Sequence, residues 1–306
     1  MEFIYTIEDL KKVVKINATI PFESVQPFLN DALDIYISPQ VGEATLTKAH
    51  RDNDQIVIQL VCRALGPLAL ALGTHELGVM FGDSGITVDN QQGKRSPANE
   101  AKIANARENL FFRGMQALDR LLSYLETNGE RYPEYIEFIQ QTKTVNCLVK
   151  SAQEYQNIGM VNIDYSVMTY RELIPAMCQL QERDLRSWLQ DDLYEKLLKG
   201  GKLTTKELVL KSLCVRYLCN GSAALYTSMT SHRERQHSGK LEYQPLIRPL
   251  YRDIEDNGNF FQEQADFYAA SIHNYLNENA TELGVAPNTA GIDFNRKDKK
   301  IFTSVV

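Results

Sequence analysis

The chain has 306 residues, about twice the usual length of a single domain, which predicts two domains. Its composition, with 43% hydrophobic and 24% charged residues, is that of a folded globular protein, and 17 glycines and 10 prolines are too few for a low-complexity chain. The 33 basic and 39 acidic residues give a net charge of −6, which argues against a general nucleic-acid-binding protein, because such affinity depends on many contacts between basic side chains and phosphates.

The sequence carries no pattern that predicts secretion or a membrane anchor. Glu8 and Asp9 stand near the N-terminus, where a signal peptide would have a basic region followed by an apolar one. The most apolar stretch, 56–73, is interrupted by Arg63 and Pro67, so we expect a buried helix rather than a membrane span. The 5 cysteines are widely spaced, which predicts free thiols in a reducing cytoplasm rather than a disulfide framework.

The beginning of the chain predicts two helices. Thr6 is followed three residues later by Asp9, the capping-box spacing that opens a helix. The segment 22–37 carries apolar residues at three- and four-residue spacing, which is typical of a helix with one buried face. We expect this second helix to end at Pro39, because proline disfavours the helical conformation of the residue before it.

Two longer helices follow in the first half of the chain. The largely apolar segment 54–72 predicts a central, buried helix that is bent or divided at Gly66-Pro67. The segment 97–127 has an apolar stripe that predicts a long helix. Asn128-Gly129 comes next, and we expect Gly129 to adopt the left-handed conformation that terminates a helix.

The second half of the chain repeats the pattern of the first. Four segments recur in the same order, displaced by 148 to 152 positions, and one of them keeps a proline, Pro27 and Pro175. The matched pairs are 7–13 with 155–161, 22–27 with 170–175, 56–62 with 208–214, and 121–128 with 272–279. Ordered matches at a nearly constant displacement indicate an internal repeat. We therefore predict a tandem duplication of one helical unit.

The sequence thus predicts a mainly α fold made of two tandem, duplicated helical domains. We place the domains at 1–145 and 146–288, followed by an extended C-terminal tail at 289–306. The long helix of the second domain is expected at 259–279. Minor short strands are expected at 3–5, at 161–163 and near the C-terminus.

Three segments lack the helical pattern and are free to reach a partner chain. They are the polar loop 78–96, its counterpart 230–243, and the tail after Pro287, which is basic and then apolar. The tail either adds a strand to the edge of a neighbour's sheet or is a frayed terminus. The candidate partner-interface residues are Asp83, Ser84, Gly85, Ile86, Lys94, Arg95, Arg233, Arg235, Arg296, Lys297, Lys299, Lys300, Ile301, Phe302 and Val305.

Two short motifs in the loop 78–96 resemble known catalytic or phosphate-binding patterns. Gly82-Asp83-Ser84-Gly85 resembles the nucleophile segment of trypsin-like proteases, but Ile86 follows where those enzymes have glycine, and the predicted fold is helical where theirs is β. A tight turn is the expected structure, because glycine, aspartate and serine favour turns. Gly93-Lys94-Arg95-Ser96 lacks the leading glycine and the preceding strand of a phosphate loop.

A metal site is the remaining chemical alternative. Cys214, Cys219, His232 and His237 could be drawn together around zinc, although their spacing is not an established ligand pattern. Core thiols and solvated histidines are the simpler interpretation. No pair of acidic residues is singled out as a general acid and base, so we predict no enzyme, no metal and no cofactor. The alternative is a metal-dependent hydrolase that uses the region 214–237.

Four short motifs in the first half of the chain form a family signature. They are Val25-Gln26-Pro27-Phe28, Tyr36-Ile37-Ser38-Pro39, Asp83-Ser84-Gly85-Ile86 and Tyr132-Pro133-Glu134-Tyr135. With the apolar helix between them, they resemble an uncharacterised family of phages and prophages of Bacteroidota-type bacteria, over roughly 20–138. Members of that family usually have tryptophan at the position of Tyr135. Its order of helices resembles that of the α-helical head–tail connector (adaptor) proteins of tailed phages.

This resemblance implies a non-enzymatic virion structural protein, a component of the neck ring that bridges portal and tail. The implied partners are further copies of the chain in a homo-oligomeric ring, the portal, and tail or neck proteins. Double-stranded DNA would pass through the ring without specific binding, and no membrane partner is expected. The protein would be assembled in the bacterial host cytoplasm and located in the virion. A tail-completion protein or another virion protein is the alternative of the same class.

Overall fold

A computed structural model describes residues 2–16, 20–74, 76–77, 80–82, 85–87, 100–142, 146–236 and 254–285. The described residues are mainly helical, which confirms the mainly α character of the predicted fold. The chain divides into two compact units, 1–144 and 145–306, and this division lies one residue from the predicted boundary between 145 and 146. The predicted tail at 289–306 lies outside the described residues.

Unit 1 contains seven described α-helices and one pair of short strands. Their bounds are α1 Ile7–Val13, α2 Phe22–Ala32, α3 Ser38–Val41, α4 Glu43–Arg51, α5 Gln55–Gly73, β1 Met80–Gly82, β2 Gly85–Thr87, α6 Glu100–Thr127 and α7 Pro133–Thr142. Thr6 caps α1 as predicted, because its hydroxyl accepts a hydrogen bond from the Asp9 amide at 3.2 Å.

Helix α5 is the centre of unit 1 and packs against α2 and α6. Its N-terminus is capped by Asp54, which accepts hydrogen bonds from the Ile56 and Val57 amides. The helix runs without interruption through Gly66 and Pro67, so the expected division there is wrong. By length and composition α5 is the one described helix that could span a membrane, but 61% of its most apolar window is buried inside the protein.

The expected helix end at Pro39 is wrong. After α2 the chain widens into a π-turn, Leu33–Ile37, in which the Ser38 amide donates to the Leu33 carbonyl five residues back. This wide turn shifts the hydrogen-bond register, so the missing amide hydrogen of Pro39 falls in the first turn of α3, where a helix amide has no helical partner. The helical run ends instead at Gly42, whose φ of 84° favours glycine.

The C-terminus of α6 lies at the predicted place but ends differently. The Asn128 side chain donates to the Tyr124 carbonyl at 2.8 Å and covers the end of the helix. Gly129 then opens a 3₁₀ turn, Gly129–Arg131, and does not adopt the expected left-handed conformation. The turn leads into α7, and the Tyr132 hydroxyl donates to the capping carboxylate of Asp54 at 2.8 Å.

Unit 2 is built from seven described α-helices. Their bounds are α8 Ala152–Asn157, α9 Val167–Leu180, α10 Arg186–Leu189, α11 Asp191–Lys199, α12 Thr205–Gln236, α13 Ile254–Glu278 and α14 Ala280–Leu283, with a π-turn at Gln181–Leu185. Helix α12 packs against α13 and α9 and is the centre of the unit. The fully buried Gln181 side chain accepts from the Leu148 amide at 2.6 Å and donates to the Asn146 carbonyl at 3.0 Å, which holds the entry segment against the core.

The expected minor strands are not where the sequence placed them. Residues 3–5 and 161–163 form irregular backbone: Phe3 and Ile4 are both buried, and in 161–163 the buried Val161 and Ile163 alternate with the exposed Asn162. Alternation of this kind imitates a strand pattern over so few residues. The strand expected near the C-terminus lies outside the described residues. Within the described part of the chain, the one strand pair is β1 with β2, where Phe81 lies opposite Ile86.

Candidate functional site

Most of the predicted partner-interface residues lie outside the described residues. These are Asp83, Ser84, Lys94, Arg95 and the tail residues Arg296, Lys297, Lys299, Lys300, Ile301, Phe302 and Val305. Gly85 and Ile86 form part of β2. Gly82 pairs with Gly85 across the two strands, which agrees with the tight turn expected at this motif.

The second predicted interface segment is partly helical. Helix α12 continues to Gln236, so residues 230–236, including Arg233 and Arg235, belong to this helix and not to the expected loop. The expectation of a loop rests on the polar composition of the segment, and polar residues continue a helix readily when no proline or glycine interrupts it.

The continuous helix α12 also argues against the zinc site drawn from Cys214, Cys219, His232 and His237. Cys219 and His232 are separated by thirteen residues of one helix, which corresponds to about 20 Å along its axis. One metal ion cannot bridge that distance. His237 lies outside the described residues, and within the described ranges no group of three or more metal-binding side chains is present.

The cysteine thiols of the described structure are core groups. All five are free, and Cys147, Cys178, Cys214 and Cys219 are buried. Burial raises the pKa of the Cys214 and Cys219 thiols well above its ordinary value, which keeps them protonated. Burial also raises the pKa of the half-buried Cys62 to about 11, and its thiol donates to the Phe3 carbonyl.

An exposed apolar loop on unit 2 stands out from the rest of the surface. Residues 158–165 connect α8 to α9, and within them Met160 is 67% exposed and Tyr165 is 51% exposed. Met160, Asp164 and Tyr165 all have left-handed backbone, with φ of 62°, 53° and 54°. Such a conformation costs about 1–3 kcal/mol for a residue other than glycine and persists only where its surroundings enforce it.

Polar side chains hold this loop in its strained form. The side-chain oxygen Oε1 of Gln156 accepts hydrogen bonds from the Tyr165 amide at 2.7 Å and from the Ile163 amide at 3.3 Å. The Tyr165 hydroxyl donates to Asn157 at 3.0 Å, and Arg216 on α12 donates to the Ile158 carbonyl at 3.3 Å. The loop is therefore preorganised: Val161 and Ile163 are buried in the core, while Met160 and Tyr165 are exposed.

Arg216 links the loop to an exposed aromatic stretch of α13. Its guanidinium lies 5.8 Å from the centre of the Tyr268 ring, and that ring packs edge-on against Phe267 with 5.3 Å between centroids. Phe267 is 61% exposed. We call this surface the Arg216 patch: Ile158, Arg216, Tyr268 and Phe267 are linked by the contacts above, and the exposed Met160 follows Ile158 two residues later in the same loop. Arginine, methionine and aromatic residues are the types enriched at protein interfaces.

A different surface on unit 1 is acidic. Asp31, Asp34 and Ile35 are exposed on α2 and on the π-turn that continues it, and Ile35 is 50% exposed. No lysine or arginine of the described chain pairs with Asp31 or Asp34. We call these three residues the α2 acidic face. π-Turns occur frequently at functional sites, because they reorient side chains in an otherwise regular helix.

The acidic residues of unit 2 are engaged differently. Glu182 accepts hydrogen bonds from Tyr194 and Arg186, and Asp184 pairs with Arg183 at 2.7 Å. The Tyr194 hydrogen bond is the larger cause that lowers the pKa of Glu182. Both carboxylates are therefore members of a surface network of ion pairs and hydrogen bonds.

Neither surface is among the residues predicted from the sequence. Phe267 falls within the predicted long helix, with no face assigned to it, yet it lies opposite Ala265, Ala269 and Ile272, which are buried. An aromatic residue on the face opposite the buried stripe is the available signal. The strained loop around Met160 has no comparable signal, because left-handed backbone at methionine is not visible in a sequence.

Comparison with known proteins gives one match. Residues 10–145 match the model of a family of unknown function, DUF6712. No curated protein matches the chain, and no solved structure matches it.

Proposed function

We propose that the protein is a non-enzymatic structural protein that acts by assembling with other copies of itself. The Arg216 patch carries this proposal, because a preorganised, exposed cluster of Met160, Arg216 and Phe267 has the composition of a protein interface. The assembly we propose is the head–tail connector of a phage or prophage virion, a neck ring between portal and tail. That location rests on the resemblance of residues 20–138 to the phage family described above.

We also propose that the two units arose by tandem duplication, and the order of elements supports this. The π-turn Leu33–Ile37 and the π-turn Gln181–Leu185 lie 148 positions apart. The two helices after each π-turn keep the same spacing, since α3 and α4 correspond to α10 and α11 residue for residue. Gly42 and Gln190, also 148 apart, both have positive φ. A strained non-glycine residue at Gln190 is expected if a shared backbone plan dictates the turn.

Helix caps and burial favour other displacements than the predicted ones for two of the repeated segments, the first helix and the central helix of each unit. Thr6 caps α1 through Asp9, and Ser151 caps α8 through Glu154, so these helices correspond at a displacement of 145 rather than 148. Along the central helices, the fully buried Val57 corresponds to the fully buried Leu210 at 153, whereas the predicted displacement of 152 pairs it with Val209, which is 44% exposed.

The C-terminal repeat keeps its predicted displacement of 151. Asn128 donates to the Tyr124 carbonyl and Asn279 donates to the Tyr275 carbonyl, at 2.8 and 3.0 Å. The same side chain therefore covers the same helix end in both units.

Reciprocal glycines support the duplication independently. In unit 1, Gly66 of the central helix is packed so closely that a Cβ there would lie 2.6 Å from Val13 and 3.6 Å from Val14. In unit 2 the glycine lies on the other side of the same contact. Gly159 corresponds to Val14, and Cys219 on the central helix corresponds to Gly66. A Cβ at Gly159 would lie 2.3 Å from the Cys219 sulfur.

The same exchange occurs where the central helix crosses the long helix. Gly114 faces Leu68 in unit 1, and a Cβ at Gly114 would lie 2.5 Å from the leucine Cγ. The corresponding pair in unit 2 is Ala265 facing Gly221. In two unrelated helix pairs, glycines would not be expected on opposite sides of close contacts at corresponding positions. Shared helix positions explain it, because each contact needs one small residue and either partner can supply it.

A duplicated chain suits a ring, which requires a head-to-tail interface between different surfaces of neighbouring copies. The family match over residues 10–145 supports the view that unit 1 is a module in its own right. A net charge of −6 suits a ring through which double-stranded DNA passes without specific binding. Such a protein would be made in the bacterial host cytoplasm and located in the virion, with portal and tail or neck proteins as further partners.

Electron microscopy of the purified protein and of the parent virion tests this proposal. We expect closed rings in the purified sample and the same ring in the neck of the virion, together with weak DNA binding at low salt. A chain that stays monomeric at every concentration and is missing from virions would refute it. Tight low-salt DNA binding would refute the passive DNA passage.

A further inference from the structure

We propose that the Arg216 patch of one copy is the docking site for the α2 acidic face of the next copy. This inference rests on the proposed function, because it specifies the interface through which the chain assembles. The two surfaces lie on different units, so their contact is head-to-tail, the arrangement that closes a ring or extends a filament.

The patch offers what a docking site needs before the partner arrives. Its loop is held by hydrogen bonds that Tyr165 donates to the side chains of Gln156 and Asn157, so little conformational freedom is lost on binding. Met160 and Phe267 are more than half exposed and supply apolar area. Arg216 adds one positive charge, placed by its contacts with the Ile158 carbonyl and the Tyr268 ring, and no carboxylate of the described chain pairs with it. A complementary partner therefore presents an apolar side chain beside a carboxylate.

The α2 acidic face has that chemistry. Ile35 provides an exposed branched side chain, and Asp31 and Asp34 provide carboxylates on the same side of the helix. Asp31 and Asp34 reach Arg216 of another copy without breaking an ion pair of the described structure. A carboxylate–guanidinium contact beside buried apolar groups is stronger than an exposed ion pair, because the site excludes water.

Neither surface has an equivalent on the other unit: unit 1 lacks a counterpart of the Arg216 patch, and unit 2 lacks a counterpart of the α2 acidic face. In unit 1 the positions that match the patch are basic, with Lys15 matching Met160 and Arg63 matching Arg216, and the exposed Gln116 stands where unit 2 has Phe267. In unit 2, Gln179 and Arg183 stand at the positions of Asp31 and Ile35, and Glu182, at the position of Asp34, already pairs with Arg186. One unit therefore carries the apolar, arginine-centred surface and the other carries the open acidic one.

Charge exchange in the full-length protein tests this contact. Arg216→Glu alone and the double change Asp31→Lys, Asp34→Lys are each expected to weaken self-association about 10- to 100-fold, measured by sedimentation velocity across a concentration series. The chain with all three changes restores opposite charges across the contact and is expected to recover most of the wild-type assembly. Arg63→Glu, at the corresponding position of unit 1, is the matched control and should assemble like the wild type.

Two further substitutions test the patch independently, in case Arg216→Glu loses assembly through a folding defect. Met160→Ser and Phe267→Ser remove exposed side chains and are each expected to weaken assembly about 10-fold, while Leu208→Ser, an equally exposed apolar residue of unit 2 outside the patch, should not. The fluorescence of Trp188, which packs against Tyr217, checks that unit 2 stays folded.

The outcomes separate this inference from the proposed function. The docking site would be overturned if the patch variants still form wild-type rings, or if the chain with all three charge changes does not recover assembly. Either result would leave the proposed ring unaffected. Loss of assembly in Arg63→Glu but not in Arg216→Glu would assign the contact to unit 1 and likewise overturn it. A wild-type chain that never self-associates would overturn both.

Discussion

Replacing Gly159 with alanine tests whether the close contact between α8 and α12 is as tight as the structure indicates. The new methyl carbon would lie 2.3 Å from the Cys219 sulfur and 2.3 Å from the Tyr155 carbonyl oxygen, both far inside van der Waals contact. Because Cys219 is fully buried and Tyr155 is part of α8, neither atom can move freely. The substitution therefore forces helix α8 and helix α12 apart.

The expected loss follows from two opposing effects. Overpacking of a well-packed core costs about 1–3 kcal/mol. Gly159 does not have a positive φ, so alanine recovers part of the about 0.4–1 kcal/mol that restricting the unfolded chain gives at an unstrained site; the clash with the Tyr155 carbonyl prevents the full gain. We expect Gly159→Ala to lower the free energy of unfolding of unit 2 by about 1–2 kcal/mol, or about 2–8 °C in Tm for a unit of this length.

The single tryptophan makes this measurable for unit 2 by itself. Trp188 packs 5.0 Å from Tyr217 on α12 and 4.7 Å from His273 on α13, so its fluorescence reports the unfolding of this helical core. Gly201→Ala is the control, because a Cβ there meets nothing within 4 Å, and its stability should stay within about 0.5 kcal/mol of the wild type or rise slightly.

A second variant tests the reciprocal arrangement. Cys219→Gly recreates in unit 2 the glycine that unit 1 has at Gly66 and removes the sulfur that clashes with alanine at position 159. In that background Gly159→Ala should cost about 1 kcal/mol less than in the wild type, and the rest of the cost should persist because the Tyr155 carbonyl remains. Equal losses in the two backgrounds would refute the proposed steric exchange.

Three further predictions concern charged and thiol groups. Asp54→Ala removes the carboxylate that caps α5 and accepts a tyrosine hydrogen bond, and should cost unit 1 about 2–4 kcal/mol in urea unfolding followed by circular dichroism. The Lys196 ammonium lowers the pKa of Glu207. The ionised carboxylate therefore stabilises unit 2 fully above the pKa that Glu207 has in the unfolded chain, and this stabilisation is lost as pH falls through the lowered pKa. Glu207→Gln should abolish this contribution to the loss of stability in acid, measured by Trp188 fluorescence. With a pKa of about 11, Cys62 should react slowly with a thiol reagent at neutral pH and faster as pH rises toward that value, whereas equal rates at about pH 7 and about pH 10 would contradict the assignment.

The elements that could be predicted are those governed by local chemistry. Thr6 and Asp9 specify a cap whatever packs around them, and the apolar period of α5 requires a buried helix. The errors arise where hydrogen-bond register decides the outcome. Pro39 would end an ordinary α-helix, but the π-turn before it removes the conflict, and the energies that favour a π-turn come from tertiary packing rather than from the sequence of Leu33–Ile37 alone.

The interaction surfaces could not be predicted from the sequence for a related reason. Exposure is a property of the folded unit: Phe267 gives a signal by lying opposite the buried stripe of its helix, but Ile35 gives none, because the π-turn changes which residues of 33–37 face the core. Under the proposed duplication, α1 and α8 match at a displacement of 145 and not at the predicted 148, because apolar matches alone tolerate a shift of three residues on a helix. The capping pairs at Thr6 and Ser151 remove that ambiguity, since a cap has a fixed position.

Under the proposed duplication, the difference between the corresponding surfaces of the two units has a consequence for assembly that can be tested by grafting. If head-to-tail contact requires that only unit 2 carry the apolar patch, then Lys15→Met together with Gln116→Phe should give unit 1 a second patch around Arg63. Both positions are exposed in unit 1, so the changes should leave its fold intact. Each copy would then offer two docking sites for the α2 acidic face.

With two docking sites in each copy, closure of a single ring competes with branching, because a second copy can join without displacing the first. We expect the grafted chain to form larger, heterogeneous particles in light scattering and in electron micrographs, and the same graft carried on the Asp31→Lys, Asp34→Lys chain to lose them. Uniform wild-type rings from the grafted chain would show that the apolar surface does not determine which unit is recognised, and the role assigned to the divergence between Lys15 and Met160 would be wrong.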